Sequence, residues 1–332
     1  MEKARRTAAS DIAPVAFEAK SGMGTRKQSA AKGLLAALKT ILYEGFMFWT
    51  ARLPQRFAFR IARQVGATRY RRRRLATNRC QASMARLLRA APELAQSWLK
   101  RSFELAACAD LERYLLPRMT EEDFLRRVEV RGLENLDTAL GRGKGAILYS
   151  GHVWSSLTIP FALGVLGYKV NWVGRRSRGN STRIEYWFQT TRKAQVLERV
   201  GCRFLWIEPD NFGVAVQATN ALRRNEVVII LTDLSFSKQN TEVVFLHQPM
   251  DFPSGPVFVA QISGAPLVDF FVHRTEEWVP QIAEIGSPYY AADDLVGAAQ
   301  HCASRLEEKI LQHPSEWVPW LSPDAQLWRK RT

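Results

Sequence analysis

The sequence predicts an α/β fold, a central sheet flanked by helices, behind a basic helical region. Three observations predict it. From about residue 128, short apolar runs of strand length alternate with segments of helical period, the pattern of an α/β domain. The charge is divided unevenly: residues 1–130 hold 26 Lys and Arg against 12 Asp and Glu, whereas residues 131–332 hold 21 against 20. Four polar residues, His152, Arg175, Asp233 and Arg274, fall at the ends of strand-like runs, where ligands of open α/β sheets collect.

At 332 residues and 46% hydrophobic, the chain is long enough for a sizeable core. A net charge of +15 implies an anionic partner: a membrane, a nucleic acid or a phosphorylated substrate. Cys80, Cys108, Cys202 and Cys302 are far apart and form no CxxC pair, which speaks against a disulfide framework or zinc ribbon and suits a reducing compartment. His152, His247, His273, His301 and His313 show no HxxxH spacing, and no metal site is expected.

Residues 1–32 are polar and charged and read as a flexible tail, without the apolar core of a signal peptide. Residues 33–127 read as a helical, basic, membrane-associating region. Its first stretch, GLLAALKTILYEGFMFWTAR (33–52), places Leu34, Leu35, Leu38, Ile41, Leu42, Phe46 and Trp49 on one helical stripe. Its length is at the lower limit for a bilayer span, and Lys39 and Glu44 interrupt it. The reading is a helix in the membrane interface, or a marginal anchor; the competing reading packs the stripe on the protein's own core. The run RYRRRRLATNR (69–79) follows, and juxtamembrane arginines attract anionic headgroups at roughly 1 kcal/mol each. The run lacks aromatic interleaving and any zinc-finger, RNP-like or basic-zipper pattern, so nucleic acid is not the expected partner. Residues 81–127 are rich in helix formers, punctuated by Pro92 and Pro117.

The remainder, 128–332, reads as the α/β domain. Strands are expected at 126–132, 145–150, 169–175, 202–208, 226–233, 265–274 and 279–286. Helices are expected at 133–143, 158–167, 184–201, 213–225 and about 293–313. The stretch 242–264 reads as a short strand, a loop and a helix.

The stretch ILYSGHVWSSL (147–157) holds the most pointed feature: a histidine directly after an apolar strand, at a turn that could open a helix. GKGAILYSGHVWSSL resembles the first motif of the bacterial lipid A late acyltransferase (lauroyl/myristoyl acyltransferase) family, within the lysophospholipid acyltransferase-like superfamily. The resemblance continues in order. Arg175 in VNWVGRRSRGN matches the second motif and Asp233 in VVIILTDLSFS the aspartate of the third. Ser254, Gly255 and Arg274 match the stretch that follows, and HPSEWVPW matches the closing His-Pro-x-x-Trp-x-Trp at His313, Pro314, Trp317 and Trp320. The similarity spans about 34–329.

The resemblance implies a glycerolipid acyltransferase-like fold with a mixed central sheet. It implies transfer of a fatty acyl group to a hydroxyl or amine acceptor, possibly a glycolipid, at the cytoplasmic face of the inner membrane, held peripherally or by a single N-terminal anchor. The donor would be an acyl-carrier-protein or acyl-CoA thioester, with no cofactor. His152 would be the catalytic base. Arg175 and Arg274 would bind phosphates of the substrates, and the Ser254–Gly255 turn would offer backbone N–H groups to an anion.

The first motif departs from the family at one point. Its usual acid, five residues after the histidine, is Leu157 here, and leucine can neither orient an imidazole nor stabilise its charged form. Three readings remain at this stage. A carboxylate from elsewhere serves, Asp233 first; the acceptor is a stronger nucleophile that needs less help; or the chain is a catalytically degenerate relative that binds acyl chains or a partner protein.

Overall fold

A computed structural model describes residues 23–72, 74–175, 187–207, 213–233, 240–276, 280–291 and 293–321. Its centre is a seven-stranded sheet. In chain order the strands are β1 (Val128–Arg131), β2 (Ala146–Ser150), β3 (Val170–Arg175), β4 (Arg203–Ile207), β5 (Val227–Leu231), β8 (Leu267–Arg274) and β9 (Gln281–Ile285). They lie in the order β1-β9-β8-β2-β5-β3-β4. Every neighbouring pair is parallel except β8 and β9. The sheet is therefore mixed, as expected, and mostly parallel.

Strand β2 is central, buried at all five positions, and runs beside β5 with Ser150 level with Leu231. Such an uninterrupted apolar run belongs to a strand covered on both faces. The covering helices are α6 (Leu133–Leu140), α7 (Thr158–Val165), α8 (Arg192–Glu198), α9 (Gly213–Arg223), α10 (Gly255–Ser263) and α11 (Leu295–Gln312). Helix α11 begins at Asp294, whose side chain accepts from the Gly297 N–H at 2.9 Å, satisfying one of the free donors of a helix start.

Two expectations change. The stretch 242–264, expected as a short strand, a loop and a helix, forms a β-hairpin before the helix: β6 (Asn240–Phe245) pairs antiparallel with β7 (Gln248–Pro253). The turn is Leu246–His247, both in the left-handed region at φ 48° and 63°. Hairpin turns of this kind usually carry Asn or Gly, so the sequence gives no turn signal here. Nor does a helix open at His152. Val153 bridges to Trp317 in the antiparallel sense, and α7 starts only at Thr158.

The N-terminal region is helical: α1 (Met23–Thr50), α2 (Gln55–Arg72), α3 (Arg74–Leu87), α4 (Pro92–Leu115) and the short α5 (Glu121–Leu125). Helix α4 is the hub, with both ends of its buried side committed to other elements. Proline suits its first position, where a backbone N–H would find no partner within the helix. Helix α2 crosses α4 at very close range: a Cβ at Gly66 would lie 2.4 Å from the Phe103 carbonyl oxygen. Only glycine permits this approach. Met47, Ala58, Phe59, Ala62, Leu105, Cys108, Leu111 and Tyr114 form the resulting core.

Helix α1 joins this core along one side only. Glu44, Met47 and Thr50 face inward. Glu44, which interrupts the apolar stretch in sequence, is buried and receives hydrogen bonds from Arg113 at 3.0 Å and the Tyr114 hydroxyl at 2.7 Å. The seven stripe residues, Leu34 through Trp49, are all exposed. The stripe is thus not packed on the protein's own core. Among the described residues no helix is long and apolar enough to cross a membrane.

Candidate functional site

The site forms where β2 and β5 end side by side. His152 follows the last residue of β2 by two positions, and Asp233 follows the last of β5 by two. The strands are in register, so their exits lie one strand spacing apart, and a side chain crosses that gap. The Asp233 carboxylate lies directly on the His152 ring: Oδ1 pairs with Nδ1. Its other oxygen, Oδ2, accepts the backbone N–H of His152 at 2.6 Å and the Trp317 indole N–H at 2.8 Å.

This geometry fixes the ring. An ionised carboxylate can only accept, so in the neutral imidazole the proton sits on Nδ1 and the Nε2 lone pair is available. No described residue bonds Nε2, and 34% of the His152 side chain is exposed, whereas Asp233 is wholly buried. One nitrogen is tied to the interior, and the side chain as a whole stays partly exposed. A buried orienting carboxylate behind an exposed imidazole is the arrangement that lets histidine accept a proton from a hydroxyl.

The turn after His152 is held by the far end of the chain. The Val318 N–H donates to the His152 carbonyl at 2.8 Å, and the Trp154 N–H to the Glu316 carbonyl at 3.2 Å. The Trp154 indole donates to the Ser102 hydroxyl of α4 at 3.0 Å. Trp317 and Trp320 are almost entirely buried and meet edge to face. Gly151 matters for a related reason: a Cβ there would lie 3.0 Å from Asp233 Oδ2 and 3.1 Å from the Trp317 indole nitrogen.

The other sequence-predicted residues do not converge on the ring. Leu157 is buried in the core at the start of α7. Arg274, expected at a phosphate, has a fully buried guanidinium that donates to Glu112 of α4 at 2.5 Å and lies 4.7 Å from the centre of the Phe59 ring. Gln281 donates to the same carboxylate and accepts from Thr158, the residue after Leu157. In this position Arg274 ties the sheet to the helical region and presents no open face to a substrate. Burial opposes its charge, but Glu112 holds its pKa above the usual arginine range. The Arg175 backbone ends β3 opposite Ile207, while its side chain lies outside the described residues. The Ser254 hydroxyl is buried against Thr241 of the hairpin at 2.6 Å, and Gly255 opens α10.

Glu316 is the site's unforeseen group. It is buried, its Oε1 accepts the backbone N–H of Arg274 at 2.7 Å, and its Oε2 has no hydrogen-bond partner among the described residues. Burial pushes its carboxyl up to about 7, against the pull of that N–H and of the Arg274 charge. Three residues away, His313 stacks on His273 with centroids 3.8 Å apart, and burial together with that neighbour pushes it down to about 4.

A mixed α/β sheet with an imidazole–carboxylate pair at its strand ends is the layout of an enzyme whose chemistry centres on histidine. Comparison with known proteins makes this specific. The family profile described as bacterial lipid A biosynthesis acyltransferase matches residues 27–329, nearly the whole chain, and the protein belongs to that family. It is also similar to the phosphatidylinositol mannoside acyltransferase of Mycobacterium tuberculosis, in strains CDC 1551 / Oshkosh and ATCC 25618 / H37Rv. Identity is 26% over 285 residues, covering 80% of this chain and 82% of the relative. The protein is an acyltransferase.

Proposed function

We propose that this acyltransferase moves a fatty acyl group from an acyl-carrier-protein or coenzyme A thioester to a hydroxyl of a glycolipid, with His152 as general base and Asp233 as its orienting carboxylate. The observation that carries the reading is the Asp233 carboxylate seated on Nδ1 of a half-exposed His152. Nε2 takes the proton of the acceptor hydroxyl as its oxygen attacks the thioester carbonyl carbon. Collapse of the tetrahedral intermediate expels the thiolate, which recovers the proton from Nε2. Through both transfers Asp233 stays ionised and stabilises the imidazolium. The acid missing at Leu157 is thereby supplied from the end of a neighbouring strand.

The glycolipid acceptor rests on the family's description and on the relative that acts on a mannosylated phosphatidylinositol. Work at an anionic membrane surface is supported by the outward apolar face of α1 and the arginines that follow it in the chain. Arg52 lies 3.6 Å from the centre of the Phe48 ring and 4.8 Å from that of Trp49, and Arg71 and Arg72 are exposed.

The test is thiol release from lauroyl-coenzyme A and from lauroyl-acyl-carrier protein, with a mannosylated phosphatidylinositol and a lipid A precursor as acceptors. The His152→Ala protein should fold normally and turn over at least about 100-fold more slowly. A folded variant with near wild-type turnover would exclude the base assignment.

A further inference from the structure

We propose that Trp317 is a positioning residue of the active site: its indole N–H sets the Asp233 carboxylate, and through it the orientation and proton placement of His152. This rests on the reading of His152 as the base.

Asp233 meets three donors on two oxygens. Oδ2 accepts the His152 backbone N–H and the Trp317 indole N–H, while Oδ1 alone addresses the ring. Two donors on Oδ2 fix the carboxylate plane, so Oδ1 is presented to Nδ1 without freedom to rotate away. A buried carboxylate without them would be free to turn, and hydrogen bonds to a charged acceptor are the stronger kind. Indole suits this place because it only donates: it cannot compete with the carboxylate for the Nδ1 proton.

Trp317 is itself held on several sides. It is 2% exposed. Phe245 of the hairpin meets its ring edge to face at 5.9 Å and Trp320 at 4.8 Å. Its backbone bridges to Val153, and the flanking Glu316 and Val318 bond the backbone of the His152 turn. The closing segment of the chain therefore grips the base from two directions, by main chain at the turn and by indole at the carboxylate. Where related first motifs carry an acid in the turn itself, this chain places the acid just beyond the end of β5 and steadies it from a point 84 residues later.

Trp317→Phe removes the donor and keeps most of the ring volume. Expected is a roughly 10-fold or greater fall in kcat for the lauroyl-coenzyme A reaction, with KM for the thioester unchanged. Trp172→Phe trims another buried indole, on β3 and stacked on Phe204, and it should leave kcat near wild type. If Trp317 acts through Asp233, the double variant Trp317→Phe/Asp233→Asn should be no slower than Asp233→Asn alone.

A spectroscopic arm needs neither turnover nor a stable Trp317 variant. In full-length protein with 15N-labelled indoles, Asp233→Asn exchanges a charged acceptor for a neutral one. One of the ten indole N–H resonances should then move upfield. An unchanged kcat in Trp317→Phe, multiplicative losses in the double variant, or unmoved indole resonances would each overturn the proposal. An active His152→Ala protein would remove the base reading, while the indole shift would still report the hydrogen bond, so the two failures are separable.

Discussion

At the scale of single residues, the site depends on short distances around one carboxylate. His152 and Asp233 were legible as a pair because each follows an apolar run and both runs have strand length. Adjacent parallel strands in register then bring their exits together. Trp317 was legible only as part of a closing motif, since nothing local ties residue 317 to residue 233. Arg274 sits apart from the ring for a physical reason. A strand-end arginine suits a phosphate, but here Glu112 arrives from a helix more than 160 residues away in sequence and claims the guanidinium. Gly151 yields a prediction at this scale. Its backbone conformation admits alanine, but the added methyl would press on Asp233 Oδ2, the Trp317 indole and Leu306 at once. Overpacking of this kind costs about 1–3 kcal/mol. Gly151→Ala should melt at lower temperature and lose about 10-fold or more in kcat. Wild-type kcat would show that the carboxylate has room to yield.

At the scale of elements, most strand and helix positions in 128–332 follow from periodicity alone. The exceptions are places where tertiary contacts decide. The Leu246–His247 turn has no local signal, and the stretch after His152 is pulled out of helix by its bridge to Trp317. The closing segment also carries a pH response. Glu316 has its folded-state pKa raised from about 4.5 to about 7, so the folded protein binds this proton more tightly than the unfolded chain. Its contribution to stability is fully present below about pH 4.5 and is lost as pH rises to about 7. His313 works in the opposite sense: lowered from 6.5 to about 4, it lends stability above about 6.5 that is lost as pH falls to about 4. The two oppose each other over most of the same window, and the wild-type melting temperature should vary little there on their account. Glu316→Gln cancels one of the pair. Relative to wild type, this variant should gain melting temperature between pH 5 and pH 8. An offset that does not change with pH would show that Glu316 does not hold its proton in the folded protein.

At the scale of the whole molecule, the helical region and the α/β domain share a single ion network, in which Arg274, Glu112 and Gln281 join sheet to helix. This argues against testing membrane binding by deletion of the N-terminal region. Removing α2 would uncover Leu111, Cys108 and the Phe103–Glu104 backbone on which Gly66 packs, and a fall in vesicle binding could not be told from unfolding. Point changes on α1 avoid this. Leu35, Leu38, Leu42 and Trp49 are 50–67% exposed and make no part of the core, while Glu44 and Met47 on the opposite side keep the helix seated on α4. Fully burying one such side chain contributes about 1.5–3 kcal/mol, so insertion of four is of the same order as what the neighbouring arginines supply at roughly 1 kcal/mol each. The quadruple change of Leu35, Leu38, Leu42 and Trp49 to Gln should therefore leave the melting temperature near wild type. It should also cut partition onto phosphatidylglycerol-containing vesicles by at least about 100-fold. Raising salt should weaken the wild-type protein's binding only in part, because the apolar contribution is not screened. Equal vesicle binding by the quadruple variant and the wild type would exclude α1 as the membrane-facing element and leave the exposed stripe to another partner.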